Sequence, residues 1–125
     1  MKKTPIIATK APGAIGPYSQ GISAGEFVFV SGQIPAGQDG ALVNGGVAEQ
    51  TEQSLNNVMG VLLAAGLTMN DVVKTTVFMT DLGQFAAVNE VYAKHFHTPF
   101  PARATVQVSA LPKGALVEIE AIAVR

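Results

Sequence analysis

The sequence predicts an α+β fold, a β-sheet with two helices packed on one face. Hydrophobic periodicity gives the element order β-β-α-β-α-β-β along the 125 residues. Two helices cannot cover both faces of a sheet of about five or six strands, so both belong on one face. Hydrophobic residues make up 48% of the chain and charged residues 14%, against about 25% charged in an average globular chain. The sheet face without helices must then be solvated or covered by a second chain.

Each element has its own signal. Residues 1–17 carry Pro5, Pro12, Gly13, Gly16 and Pro17 and read as an extended lead-in. Tyr18 to Ala24 and Phe27 to Ser31 are strands joined by Ala24-Gly25-Glu26, and Phe27-Val28-Phe29-Val30, apolar on both faces, is central. Residues 32–46, with Asp39-Gly40 and Asn44-Gly45-Gly46, read as a surface loop. A first helix runs from Val47 to Ala65 on the stripe Val47, Thr51, Leu55, Val58, Leu62 and Ala65, with Gly66 as its left-handed C′ residue and Leu67 as the hydrophobic partner. Thr68 to Asp71 forms a turn, and the Val, Thr and Phe density of Val72 to Thr80 reads as a strand. Asp81 and Gln84 form a capping-box pattern ahead of a second helix, which buries Phe85, Val88, Tyr92 and Phe96 and runs to about His97 before Pro99 and Pro101. Ala102 to Ala110 and Ala115 to Val124 alternate as two strands, with Leu111-Pro112-Lys113-Gly114 as a hairpin loop between them.

Composition narrows the function classes. The length suits a single domain, 1–125. The net charge of −1 lacks the basic excess of a nucleic-acid binder, so no nucleic-acid partner is expected. The absence of cysteine excludes disulfides, thiolate catalysis and cysteine-ligated zinc, and favours a cytoplasmic location. Lys2-Lys3 is followed by only a short apolar stretch, so no secretory signal is read. The longest apolar run, Val58 to Leu67, is half of what a bilayer span needs, so a soluble protein is expected.

Several motifs are set aside. Gly13-Ala14-Ile15-Gly16 lacks phosphate-loop grammar, and Ser31-Gly32 has no upstream glycine at nucleophile-elbow spacing. His95 and His97 lie two apart near a helix end, pointing to different sides, and read as a solvated helix C-terminus without a metal role. Met59, Met69 and Met79 read as core or turn fillers.

What remains is a polar constellation. Alternation puts Arg103, Thr105, Gln107 and Ser109 on one face and Ala104, Val106, Val108 and Ala110 on the other. Val117, Ile119 and Ala121 likewise separate from Glu118 and Glu120. Packing the apolar faces on the helices would put Arg103, Thr105 and both glutamates together on the far face. The pattern alone equally fits an ordinary solvated sheet face. Asn89 interrupts the apolar stripe of the second helix and needs a partner or a task. Tyr18, beside the rigid Gly16-Pro17, and Ser31-Gly32 at a strand end complete the candidates.

Ile15-Gly16-Pro17-Tyr18-Ser19-Gln20, Val30-Ser31-Gly32-Gln33-Ile34-Pro35, Asp71 to Val77, Pro101-Ala102-Arg103 and Leu111-Pro112 followed by Val117-Glu118-Ile119-Glu120-Ala121 closely resemble the RidA/YjgF family. The resemblance covers nearly the whole chain. It implies a chorismate-mutase-like fold and a homotrimer with sites at the subunit interfaces. It also implies cofactor-independent hydrolysis of enamines and imines, such as 2-aminoacrylate, to 2-oxo acids and ammonia. Carried over by position, it makes Arg103 the carboxylate-binding arginine and Glu118 the water-directing glutamate. Tyr18, Ser31, Gly32 and Asn89 become substrate-site residues. Thr105 stands where many members have a cysteine, and can line the site and offer its backbone N–H. Mirror pairing about a hairpin near Lys113 sets Arg103 and Glu118 roughly 16 Å apart along the strands, which favours a site shared between chains. Two other readings stay open: a ribonuclease or translation inhibitor, and a non-catalytic small-molecule-binding trimer.

Overall fold

The computed structural model describes residues 2–125; Met1, the first residue of the expected lead-in, lies outside the described residues. The chain forms strands β1 (Lys3–Ile6), β2 (Gly21–Ala24), β3 (Phe27–Gln33), β4 (Val72–Met79), β5 (Ala102–Gln107) and β6 (Val117–Val124), with helices α1 (Val47–Ala64) and α2 (Phe85–Tyr92). The strands make one sheet in the order β1-β2-β3-β6-β4-β5. All neighbours are antiparallel except β4 and β5, which are parallel.

Two β-α-β crossovers explain this order. A helix between strands returns the chain to the same end of the sheet, so the strands it joins run parallel. β4-α2-β5 is one such unit. β3-α1-β4 is another, with β6 inserted between its two strands. The expected hairpin between the last two strands is therefore absent: β6 pairs with β3 and β4, and β5 is the sheet edge. β5 ends at Gln107 and β6 begins at Val117, so the connection is residues 108–116 and not a tight hairpin turn, and β5 pairs with β4 across the α2 crossover.

The core lies between the helices and one sheet face. The α1 stripe Val47, Thr51, Leu55, Val58 and Leu62 is buried as its spacing requires, against Val28 and Val30 of β3 and Val117, Ile119 and Ala121 of β6. Glu49 accepts the Gly46 N–H at 2.8 Å to start α1. At its end Gly66, with φ of 79°, lets the Leu67 N–H reach the Leu62 carbonyl at 2.9 Å, the expected left-handed termination. Asp81 accepts the Gly83 N–H at 2.8 Å and so caps a 3-10 turn at Leu82–Gln84, ahead of α2 itself. α2 stops at Tyr92, more than a turn short of His97, and a turn over Ala93–His95 follows.

The lead-in contains a true strand, β1, and β2 begins later than expected, at Gly21. Gln20 is buried and holds the intervening segment: its Oε1 accepts the Ala8 N–H at 2.8 Å, and its Nε2 donates to the Ala8 and Pro12 carbonyls at 3.0 and 2.8 Å. The expected 32–46 loop starts after Gln33 and carries one bridge, Ala36 to Leu42. Buried Asn57 of α1 pins it by donating to the Ile34 and Ala36 carbonyls at 3.1 and 2.8 Å. Among the described residues no helix packs on the opposite sheet face, and Phe27, Phe29 and Val106 stay 46%, 43% and 40% exposed.

Candidate functional site

The β4–β5 register decides where the candidate residues go. Arg103 pairs with Thr75, Thr105 with Val77 and Gln107 with Met79. Thr75, Val77 and Met79 are buried beneath the helices. Paired residues share a face, so Arg103, Thr105 and Gln107 lie on the helix side. Ala104 and Val106 face away. This reverses the expectation for this strand and separates Arg103 from Glu118, which is level with Phe78 on the helix-free side. The rule that apolar alternates pack on helices fails here because β5 is an edge strand and α2 presents polar and aromatic groups to it.

Arg103 is oriented by one face of α2. Its Cζ lies 4.8 Å from the Tyr92 ring centroid and 5.3 Å from that of Phe85. Its Nη1 donates to Asn89 Oδ1 at 2.7 Å. The polar interruption of the α2 stripe thus has a partner, and Phe85, Asn89 and Tyr92 act together as a cradle. Cation–π contacts of this kind contribute about 0.5–2 kcal/mol. Among the described residues no carboxylate pairs with Arg103, so its outer edge is free for an anion. The Tyr92 hydroxyl lies 2.7 Å from Thr75 Oγ1. Burial raises the Tyr92 pKa, opposed by the Thr75 hydrogen bond and the Arg103 charge. Thr105 lies beside Arg103, Leu82 and Phe85 in a shallow pocket, its Oγ1 buried without a hydrogen-bond partner.

The second half of the site lies across the sheet. A cavity of about 800 Å³ is lined by Gly13 to Ile15, Tyr18, Ser31, Gly32, Glu118 and Glu120, and by the turns around Asp39 and Lys113. A bulge between Val30 and Gln33 carries Ser31 and Gly32 into it. Glu118 lies against the Gly32 backbone: a Cβ there would stand 2.7 Å from Glu118 Oε2. Glycine at 32 thus lets the carboxylate approach the strand. Burial, with the charge of Glu120 adding to it, raises the Glu118 pKa. Ser31 donates its hydroxyl to the Ser19 carbonyl, and its N–H reaches the Gln20 carbonyl at 3.0 Å. These bonds fix the segment that places Tyr18 at the cavity.

The structure therefore brings together Tyr18, Ser31, Gly32 and Glu118 in one group, and Asn89, Arg103 and Thr105 in another. From Arg103, Thr75 and Ala121 lie successively across the sheet. Glu118 is then roughly 10 Å across and roughly 10 Å along from Arg103, on the other face. His95 is not solvated: its side chain is 11% exposed and its Nε2 lies 2.6 Å from Glu52 Oε2, tying the turn after α2 to α1. Sequence reasoning missed Gln20 and Asn57, whose buried amides position the cavity walls. It also read Phe85 and Tyr92 only as core, although their spacing around Asn89 puts all three on one helix face. Among the described residues no group of three or more His, Asp or Glu could hold a metal ion, and no helix is long and apolar enough to cross a membrane.

The family model described as Endoribonuclease L-PSP matches residues 8–125. The human 2-iminobutanoate/2-iminopropanoate deaminase is 51% identical over 123 residues, covering 96% of this chain and 88% of the human protein. The crystal structure of yeast Mmf1 superposes with a TM-score of 0.96 at 44% identity, covering 99% of each chain. That of E. coli TdcF with bound serine gives 0.91 at 48%, covering 98% of each. A match that spans both the Tyr18–Gly32 wall and the Arg103–Glu118 strands leaves one assignment: the chain belongs to the Endoribonuclease L-PSP family, the RidA/YjgF proteins.

Proposed function

We propose that this chain hydrolyses enamine and imine intermediates of the 2-aminoacrylate and 2-iminobutanoate type to 2-oxo acids and ammonia. No cofactor takes part, and each site is shared between two chains of a homotrimer. The carrying observation is the Arg103 guanidinium, held by Asn89, Phe85 and Tyr92 with no protein carboxylate on it. A planar fork set in this way suits a substrate carboxylate, which it binds through two parallel hydrogen bonds. A deaminase in human at 51% identity and bound serine, a small amino acid, in the E. coli relative support the same reading. So does the cysteine-free composition for a cytoplasmic location.

The chemistry follows from the groups. Arg103 fixes the carboxylate and so the imine carbon. Glu118 from the neighbouring chain accepts a proton from water as the water oxygen bonds to that carbon. An enamine first gains a proton from solvent on its methylene carbon and loses one from nitrogen, which gives the imine. After water addition the imine nitrogen has taken a proton. The carbinolamine then collapses as its nitrogen takes the proton held by Glu118, the C–N bond breaks and the hydroxyl loses its proton to solvent, giving ammonia and the 2-oxo acid. Burial and the Glu120 charge raise the Glu118 pKa, which makes its carboxylate a stronger proton acceptor than a free one. The backbone N–H groups of Gly32 and Thr105 are available to charge that develops on the substrate.

The test is release of ammonia and 2-oxo acid from 2-iminobutanoate generated in situ, with Arg103→Ala as control and sedimentation to establish the trimer. Absence of turnover together with tight 2-oxo acid binding would favour a binding protein. RNA cleavage that Arg103→Ala removes would favour the ribonuclease reading.

A further inference from the structure

We propose that the hydrogen bond from Lys113 to the Gly40 carbonyl is a clasp that closes part of the cavity wall and limits the length of substrate side chain the site accepts. This rests on the deaminase reading and names a residue that decides specificity within it.

Lys113 has φ of 60° and ψ of 17°, and is the one non-glycine residue at positive φ among the described residues. Glycine would occupy that conformation without strain. A lysine held there points to a use for its side chain. Its Nζ crosses to the Gly40 carbonyl, 73 positions away in sequence. Both residues line the large cavity, with Pro112 on one turn and Gln38 and Asp39 on the other.

The turn that receives the lysine is braced mainly by itself. The Gly40 N–H bonds the Gly37 carbonyl at 2.9 Å, the Gly37 N–H bonds the Ala41 carbonyl at 2.9 Å, and the Ala41 N–H bonds Asp39 Oδ1 at 3.0 Å. Asn57 and the Val43 N–H anchor its base, at Ile34, Ala36 and Pro35. Among the described residues, only the Lys113 bond joins residues 38–40 to another part of the chain. A cavity of about 800 Å³ lies high in the range of about 300–1,000 Å³ typical of small-molecule sites. The position of this wall therefore sets which side chains fit. Lys113 is also the cation among the charged lining residues, the others being Asp39, Glu118 and Glu120.

Lys113→Gly removes the clasp at a backbone geometry that suits glycine, and Lys113→Arg retains a donor. The readout is the ratio of kcat/KM for a six-carbon to a four-carbon 2-imino acid, each generated in situ. We expect Lys113→Gly to raise the ratio about tenfold, the low end of what one methylene is worth in an apolar pocket, and Lys113→Arg to bring it back towards the parent value. Hydrogen exchange at the Gly40 and Ala41 amides should quicken in the glycine variant alone. An unchanged ratio with faster exchange overturns the specificity role, and unchanged exchange overturns the clasp. If the parent hydrolyses neither imine, the deaminase reading fails separately. The clasp is then judged by calorimetry with 2-oxobutanoate and 2-oxohexanoate, where the same change in ratio is expected and no binding of either counts against it.

Discussion

Two inactive variants should restore each other. In the proposed mechanism Arg103→Ala lacks the carboxylate anchor and Glu118→Gln lacks the base. Within one chain the two residues are separated by roughly 14 Å between Cα positions, taking two strand spacings and about three residues of rise, and they project from opposite faces of the sheet. No side-chain rotation joins them on one small oxo acid. In the proposed cyclic trimer each site instead takes Arg103 from one chain and Glu118 from the next. When the variants are co-refolded in equal amounts, a site is complete with probability of about one half times one half. Recovery should therefore approach about one quarter of the parent rate per site. The assay is 2-oxo acid release from in situ 2-iminobutanoate, with native mass spectrometry to confirm that chains have mixed. Mixed oligomers without recovered activity would refute the shared site.

Four further outcomes are expected. Arg103→Lys should lose about a hundredfold or more in kcat/KM, because an ammonium keeps the charge and loses both the fork and its seat on Phe85 and Tyr92; steady-state kinetics decide, and near-parent turnover removes the bidentate role. Thr105→Cys should change turnover little and leave stability equal or up to about 1 kcal/mol higher, since the hydroxyl it removes is buried without a partner; a hundredfold gain in rate would show that sulfur matters there. The raised Glu118 pKa lends stability that is complete below the unfolded value of about 4.3 and is lost as pH rises through the folded value. Glu118→Gln should therefore melt increasingly above the parent as pH rises from about 4, and a gap independent of pH contradicts this. Asn57→Ala should cost about 1–3 kcal/mol in denaturant unfolding, because the Ile34 and Ala36 carbonyls lose their donor; a loss under a few tenths means the 34–42 segment is held by other contacts.

The periodicity of α1 and the glycine at its end were legible because both depend on neighbours within a few residues. The pairing of β5 was not. A loop as short as Leu111–Gly114 suggests a hairpin, and only the competition between two possible partners, β4 through α2 and β6 through that loop, decides otherwise. That choice is tertiary and leaves no mark in the alternation of residues 102–110. The same error carried into the site. Alternation correctly grouped Arg103 with Thr105, and Glu118 with Glu120, but which group faces the helices depends on register. Asn89 was readable as a polar group needing a partner, whereas Gln20 and Asn57 act over 8 to 23 positions on carbonyls that no local pattern identifies.

The exposed apolar face and the proposed division of the site have one physical origin. β5 is a sheet edge, so one side of its backbone lacks a strand partner within the chain, and Val106 on its outer face is bare. Phe27 and Phe29 extend that bare face across β3. Fully burying one such side chain contributes about 1.5–3 kcal/mol, so covering the remaining half of each gives association a gain distributed over the whole face. The cavity holding Glu118 opens on this same side, whereas Arg103 sits at the rim of the other. A neighbour that covers the phenylalanines and presents its β5 edge to the cavity brings an arginine fork to the glutamate. In the proposed assembly, association stabilises the sheet and completes the chemistry through one set of contacts, so neither half of the site needs to be functional in an isolated chain.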